Sequence, residues 1–202
     1  MTASNIWDER YAGADYHFGT EPNAFLVSQR ARLKPGMSCL AVADGEGRNG
    51  VWLAGQGLDV VSVDSSPVAQ AKAKKLAQQR GVTMQFEQAD MMQWEGGKDR
   101  FDVVAAIFIQ FVGPESREQQ FGILKSLIKP GGLLLLQGYT PRQLEYRTGG
   151  PSQAESLYTG TMLRDAFSDM NILHLCEHDD FISEGTGHHG MSALIDLVAR
   201  KL

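Results

Sequence analysis

The sequence predicts a three-layer α/β domain on a mostly parallel sheet, and three observations carry that expectation. Between residues 37 and 136, short apolar runs alternate with helix-like stretches, the signature of repeated strand-helix-strand units. The runs are continuous rather than alternating, which suits strands covered on both faces. Glycine supplies 22 of the 202 residues, above the average of about 7%, and the surplus marks tight turns and close backbone approaches.

Taken in order, the first 30 residues scatter Trp7, Tyr11, Tyr16 and Phe18 through a polar stretch before the helix-like Asn23–Arg32. Too polar to form a core of their own, they read as an N-terminal lid. Strands are expected at Ser38–Val42, Val60–Asp64, Thr83–Glu87 and Asp102–Phe108, with a fifth at Leu133–Gln137 after the turn Lys129-Pro130-Gly131-Gly132. The clearest helix is Pro67–Arg80: Ser65 or Ser66 caps it, Pro67 opens it, Ala69, Ala73, Leu76 and Ala77 share a face, and Gly81 ends it. Arg117–Ile128 is a second helix. Beyond residue 137 a Gly/Pro/Tyr-rich loop runs to Pro151, and a helix is expected over Ser152–Phe167. Paired strands follow at Asn171–Glu177 and Ser192–Arg200. The intervening Asp179–Gly190 reads as a polar segment reaching over a sheet edge.

Composition narrows the function classes. Hydrophobic residues at 43% and charged residues at 21% describe a folded chain, not a disordered or fibrous one. A net charge of −5 argues against a nucleic-acid partner, whose affinity rests on clustered Lys and Arg, and Lys72-Ala73-Lys74-Lys75 reads as a solvated helix face. No segment approaches the ~18 apolar residues needed to span a bilayer, and Met1 to Trp7 lack a basic region leading into an apolar one. Cytoplasmic location is the resulting expectation. Cys39 and Cys176 are far apart and lack Cys or His at metal spacing, so both read as buried thiols with no metal site.

At the end of the first strand, Gly45, Gly47 and Gly50 form G-x-G-x-x-G between strand and helix. Glycine has no Cβ, so it accepts positive φ in the turn and lets the backbone approach a nucleotide while the helix amides face it. Asp64, at the end of the second strand, is placed to accept hydrogen bonds from both ribose hydroxyls. Asp90 and Met91, just past the third strand, offer a carboxylate for an adenine amino group and a thioether for its ring. Two nucleotide classes share this pattern, dinucleotide-dependent oxidoreductases and S-adenosylmethionine-dependent methyltransferases. No tyrosine here has Lys four positions later, as a short-chain dehydrogenase requires, and the chain is short for a two-domain dehydrogenase.

Residues 37–137 resemble the core of class I S-adenosylmethionine-dependent methyltransferases through Ala43-Asp44-Gly45-Glu46-Gly47-Arg48-Asn49, Val63-Asp64, Ala89-Asp90, Phe101-Asp102-Val103-Val104 and Leu127-Ile128-Lys129-Pro130-Gly131-Gly132. Outside that core, Phe18-Gly19-Thr20-Glu21-Pro22-Asn23, Gly138-Tyr139-Thr140-Pro141-Arg142-Gln143-Leu144, Thr148-Gly149-Gly150-Pro151 and the segment from Glu184-Gly185 through His188 to Gly190 resemble a bacterial subgroup similar to tellurite-resistance methyltransferases. The resemblance implies a single domain over 1–202 with a Rossmann-like methyltransferase fold, its seven-stranded sheet mostly parallel and its last strand antiparallel. It implies S-adenosyl-L-methionine as cofactor, held by Ala43, Asp44, Gly45, Gly47, Asn49, Asp64, Ser65, Asp90, Met91 and Ile107. The acceptor is expected to be a small molecule, a tellurite-like oxyanion or a thiol, met by loops within 138–190 that carry Tyr139, Arg142 and His188 as catalytic candidates. The family usually has an acidic residue at position 41 and Gly at position 43, where this chain has Ala41 and Ala43. That substitution keeps open a non-catalytic adenosyl sensor beside the enzyme, with a nicotinamide-dependent oxidoreductase as a further alternative.

Overall fold

In the computed structural model, which describes residues 3–202, the elements begin with α1 (Ala3–Tyr11), α2 (Ala24–Ser28), β1 (Ser38–Val42), α3 (Arg48–Gly55), β2 (Asp59–Asp64), α4 (Pro67–Arg80) and β3 (Gln85–Gln88). They continue with β4 (Phe101–Ile107), α5 (Pro114–Leu127), β5 (Ile128–Tyr139), α6 (Gln143–Tyr146), α7 (Gly160–Ala166), β6 (Met170–Glu184) and β7 (His188–Lys201). The strands form one seven-stranded sheet in the order β3-β2-β1-β4-β5-β7-β6. The pairs β1/β2, β2/β3 and β4/β5 are parallel, and β7 runs antiparallel to β5. This is the Rossmann-like methyltransferase architecture with its antiparallel last strand. The chain divides into two compact units, Met1–Glu95 with Glu184–Gly187, and Gly96–Ser183 with His188–Leu202.

Helix α4 follows local chemistry closely. The Ser66 hydroxyl accepts the Ala69 amide at 3.1 Å, Pro67 lies in the first turn, and Gly81 closes the helix with φ of 66°. Its inner face, Ala69, Ala73, Leu76 and Ala77, is buried, and Leu76 and Ala77 pack on Val51 of α3.

Tertiary context overrides sequence pattern elsewhere. The helix expected over Ser152–Phe167 is a 3-10 turn at Ala154–Ser156, an extended stretch, and then α7. The Tyr158 amide donates to the Tyr139 carbonyl at 2.9 Å, which draws residues 157–159 alongside the end of β5, and Thr159 caps α7 through its hydroxyl. Asp179–Gly190 is strand for most of its length, split between β6 and β7, with the turn at residues 185–187. Polarity misled there because β6 is an edge strand whose outward side chains are solvated. The helix over Asn23–Arg32 is broken into α2 and a 3-10 turn, β5 already begins at Ile128, and α5 begins three residues earlier than expected. Cys39 is buried, but Cys176 is only half-buried. The expected lid includes α1; its residues 1 and 2 lie outside the described residues. No helix among the described residues is long and apolar enough to cross a membrane.

Candidate functional site

In the first unit, β1 ends at Val42 and the chain turns through Ala43, Asp44, Gly45 and Glu46 into α3. Gly45 and Gly47 take φ of 57° and 88°, as a left-handed turn requires of glycine. A Cβ on Gly47 would come within 2.6 Å of the Ala73 Cβ on α4, so this glycine serves close packing against that helix. Ala43 takes the same conformation, with φ of 47°, where an L-residue bears about 1–2 kcal/mol of strain. Glycine costs about 0.5–1 kcal/mol of chain entropy, so Ala43→Gly is expected to raise stability by roughly 0.5 kcal/mol. Denaturant midpoints check this, and a lower midpoint would mean that the Ala43 methyl packs better than it strains.

Asp64, the last residue of β2, is buried and holds the turn: its Oδ2 accepts the Gly45 amide at 2.8 Å and its Oδ1 accepts the Ser66 amide at 2.8 Å. Burial raises its pKa above the ordinary carboxylate value, and these two amides oppose the rise. Each oxygen retains a lone pair for a further donor, which suits a ligand bearing two adjacent hydroxyls. Ser65 is half-buried beside it. Asp44 is buried, and its two oxygens are taken by the fold, accepting the Gly50 amide at 3.0 Å and the Ser62 hydroxyl at 2.8 Å. Asn49 is likewise taken up within the fold, its side-chain oxygen accepting the Asn23 amide at 2.9 Å. Asp90 is exposed and caps its own turn by accepting the Met92 amide at 2.9 Å, while Met91 is buried.

The N-terminal segment is fastened over this turn by residues that pattern reading passed over. Buried Glu46 accepts the His17 amide at 2.7 Å and pairs with Lys72 at 2.7 Å, so Lys72 is an internal partner and not part of a merely solvated face. Glu184 reaches Arg48 at 2.7 Å and Asn23 at 3.0 Å, and the Thr186 and Gly187 amides both donate to the His17 carbonyl. The segments around Phe18–Asn23 and Glu184–Gly187, distant in sequence, thus meet at α3. Their only sequence signal was that both belong to the bacterial subgroup's motifs. On α1, Asp8 accepts the Ser66 hydroxyl at 2.5 Å, and Tyr11 stacks on Trp7 and meets Phe18 edge-on.

In the second unit, Ile107 is buried as the last residue of β4. Tyr139 at the end of β5 and His188 at the start of β7 come together, ring centroids 5.6 Å apart. Phe108, missed by sequence reasoning, completes the group, stacked on Tyr139 at 4.6 Å and edge-on to His188 at 4.8 Å. It takes φ of 55°, a strained conformation for a bulky residue and one that clusters at functional sites. Leu157, Ile182 and Leu194 pack around Tyr139. His188 is therefore a buried strand residue rather than one in a solvated loop, because Asp179–Gly190 folds as a hairpin. Arg142 is not in this group: it is exposed and pairs with Asp179 at 2.5 Å. Among the described residues no cluster of His, Cys, Asp or Glu is placed to hold a metal ion.

Comparison with known proteins agrees with this fold. Residues 39–132 match a family described as a methyltransferase domain. An uncharacterized protein of Mycobacterium tuberculosis H37Rv and one of Mycobacterium bovis are each 29% identical over 116 residues, 57% of this chain and 42% of theirs; the match spans less than half of those relatives' length. Among solved structures, one described under the conversion of a disulfide bond into a thioacetal group during echinomycin biosynthesis superposes with a TM-score of 0.82 at 20% identity, covering 99% of this chain and 92% of that one. TehB from Haemophilus influenzae superposes at 0.72 with 15% identity, covering 98% and 67%. A SAM-dependent methyltransferase from Methanosarcina mazei superposes at 0.69 with 16% identity, covering 90% and 99%.

Proposed function

We propose that this chain is a class I methyltransferase that transfers a methyl group from S-adenosylmethionine to a small-molecule acceptor as one domain over 1–202, in the cytoplasm. The observation that carries the reading is the Asp64 carboxylate, buried at the end of β2 and bonded to the Gly45 amide of a left-handed turn. Such a carboxylate fits vicinal ribose hydroxyls. Bound there, the cofactor supplies an electrophilic methyl group on a sulfonium centre.

The chain's own residues then have positioning and proton-handling roles. Methyl transfer is a displacement whose rate depends on alignment and on exclusion of water, and a base is needed only where the nucleophile carries a proton. Phe108 and Tyr139 lie at the carboxyl ends of β4 and β5, the sheet edge at which open α/β folds bind ligands. Their rings pack with His188 and with the buried Leu157, Ile182 and Leu194, an apolar setting that favours a soft, uncharged acceptor at that edge, and the His188 imidazole is read as the group that takes its proton. The acceptor class we favour is a thiol, in keeping with the sulfur chemistry named for one structural neighbour. An oxyanion would call on Arg142, which must first leave Asp179.

Labelled methyl transfer to a thiol and to an oxyanion, beside S-adenosylhomocysteine calorimetry, tests this. His188→Ala is expected to lower turnover on a thiol by about 100-fold or more with cofactor affinity kept, while Arg142→Ala leaves thiol turnover near wild type. Loss of activity only in Arg142→Ala would reverse the choice of acceptor. Cofactor binding without turnover on any acceptor would make the chain a sensor.

A further inference from the structure

Tyr11, the last residue of α1, is only 5% exposed, yet among the described residues its hydroxyl makes no hydrogen bond. The ring is held in place from two sides, stacked on Trp7 at 5.7 Å and edge-on to Phe18 at 6.2 Å. Its helix is tied down through Asp8 and Ser66, and the chain beyond it through the His17 amide and Glu46. The hydroxyl is directed at the Gly-rich turn: a Cβ built on Gly45 would lie 2.9 Å from its oxygen. Charges around it are mostly carboxylates, Asp64, Glu46 and Asp44, with Arg10 opposing, and burial together with these carboxylates keeps the phenol protonated.

This hydroxyl, at the end of a ring that is otherwise covered, faces the turn where the adenosyl ligand is read to sit. Resting on that reading, we propose that the Tyr11 hydroxyl is a ligand-binding group, making a hydrogen bond to a polar atom of the bound adenosyl compound. Helix α1 then contributes recognition as well as an apolar cover. Phenylalanine in its place keeps both ring contacts and removes only that bond.

Calorimetry of the wild-type chain and Tyr11→Phe with two probes tests this, S-adenosylhomocysteine and 5′-methylthioadenosine, the second lacking the amino-acid end. Tyr11→Phe is expected to bind S-adenosylhomocysteine about 3- to 10-fold more weakly, with an unliganded thermal midpoint no lower than wild type. A matching loss with 5′-methylthioadenosine would place the bond on the adenosyl part, and a loss confined to S-adenosylhomocysteine on the amino-acid end; either supports the proposal. Equal affinities of variant and wild type for both probes would overturn it while leaving the cofactor reading standing. A lower unliganded midpoint with unchanged affinities would overturn it too, since the hydroxyl would then be structural. If the wild-type chain bound neither probe, the cofactor reading itself would fall, and Tyr11 with it.

Discussion

Asp64→Ala is expected to bind S-adenosylhomocysteine about 10- to 100-fold more weakly than wild type, because charge-assisted hydrogen bonds to ligand hydroxyls contribute about 1.5–3 kcal/mol. A second effect follows from the bonds that Asp64 makes within the protein. Its two oxygens accept the Gly45 and Ser66 amides, and removing them leaves two buried donors to find water, at about 1–3 kcal/mol of stability. Asp64→Ala should therefore melt earlier as well as bind more weakly. Asp64→Asn separates the two effects, since its carbonyl oxygen still accepts one amide. Calorimetry at a temperature where both variants are folded decides the matter, and unchanged affinity in a folded Asp64→Ala chain would remove Asp64 from the site.

The parts of this fold that are legible in sequence are those decided by neighbours in the chain. Helix α4 has its cap, its proline, its apolar face and its terminal glycine within sixteen consecutive residues, and β1 is a continuous apolar run bounded by turn residues; both have the expected bounds. Strand β6 and the region before α7 are decided by distant partners. Nothing local to Leu157-Tyr158 announces that the Tyr139 carbonyl will take the Tyr158 amide. The candidate site divides in the same way. Gly45, Gly47 and Asp64 follow from a motif whose spacing encodes strand, turn and helix. Glu46, Glu184 and Phe108 do not, because their roles arise where segments remote in sequence meet: Glu46 with His17 and Lys72, Glu184 with Arg48 and Asn23, Phe108 with Tyr139 and His188. A charged residue in a polar stretch looks solvated until its partner is known.

Asp44→Asn is expected to flatten the dependence of stability on pH between about 4 and 7. Asp44 lies under the turn, with the Gly50 amide, the Ser62 hydroxyl and Arg48 favouring its charged form and nearby Asp64 opposing it. Burial outweighs the favourable contacts and pushes its carboxyl up to about 7. Between the ordinary value near 4 and that raised value the folded chain holds a proton that the unfolded chain has released, so Asp44's contribution is fully present at low pH and fades as pH rises toward 7. At about 1.4 kcal/mol per unit, the loss is on the order of a few kcal/mol. Asp64, also raised by burial, acts with the same sign and leaves a residual slope in the variant. Asp99, held below the ordinary carboxylate value by Lys201, has the opposite sign and acts only at lower pH. Asparagine keeps an oxygen for the Gly50 amide, so the turn survives the exchange. Denaturant midpoints across pH 4.5 to 8 read the effect directly: wild type should lose stability as pH rises and Asp44→Asn much less. Parallel curves for the two would mean that Asp44 is ionised throughout, its charge fully carried by Gly50, Ser62 and Arg48.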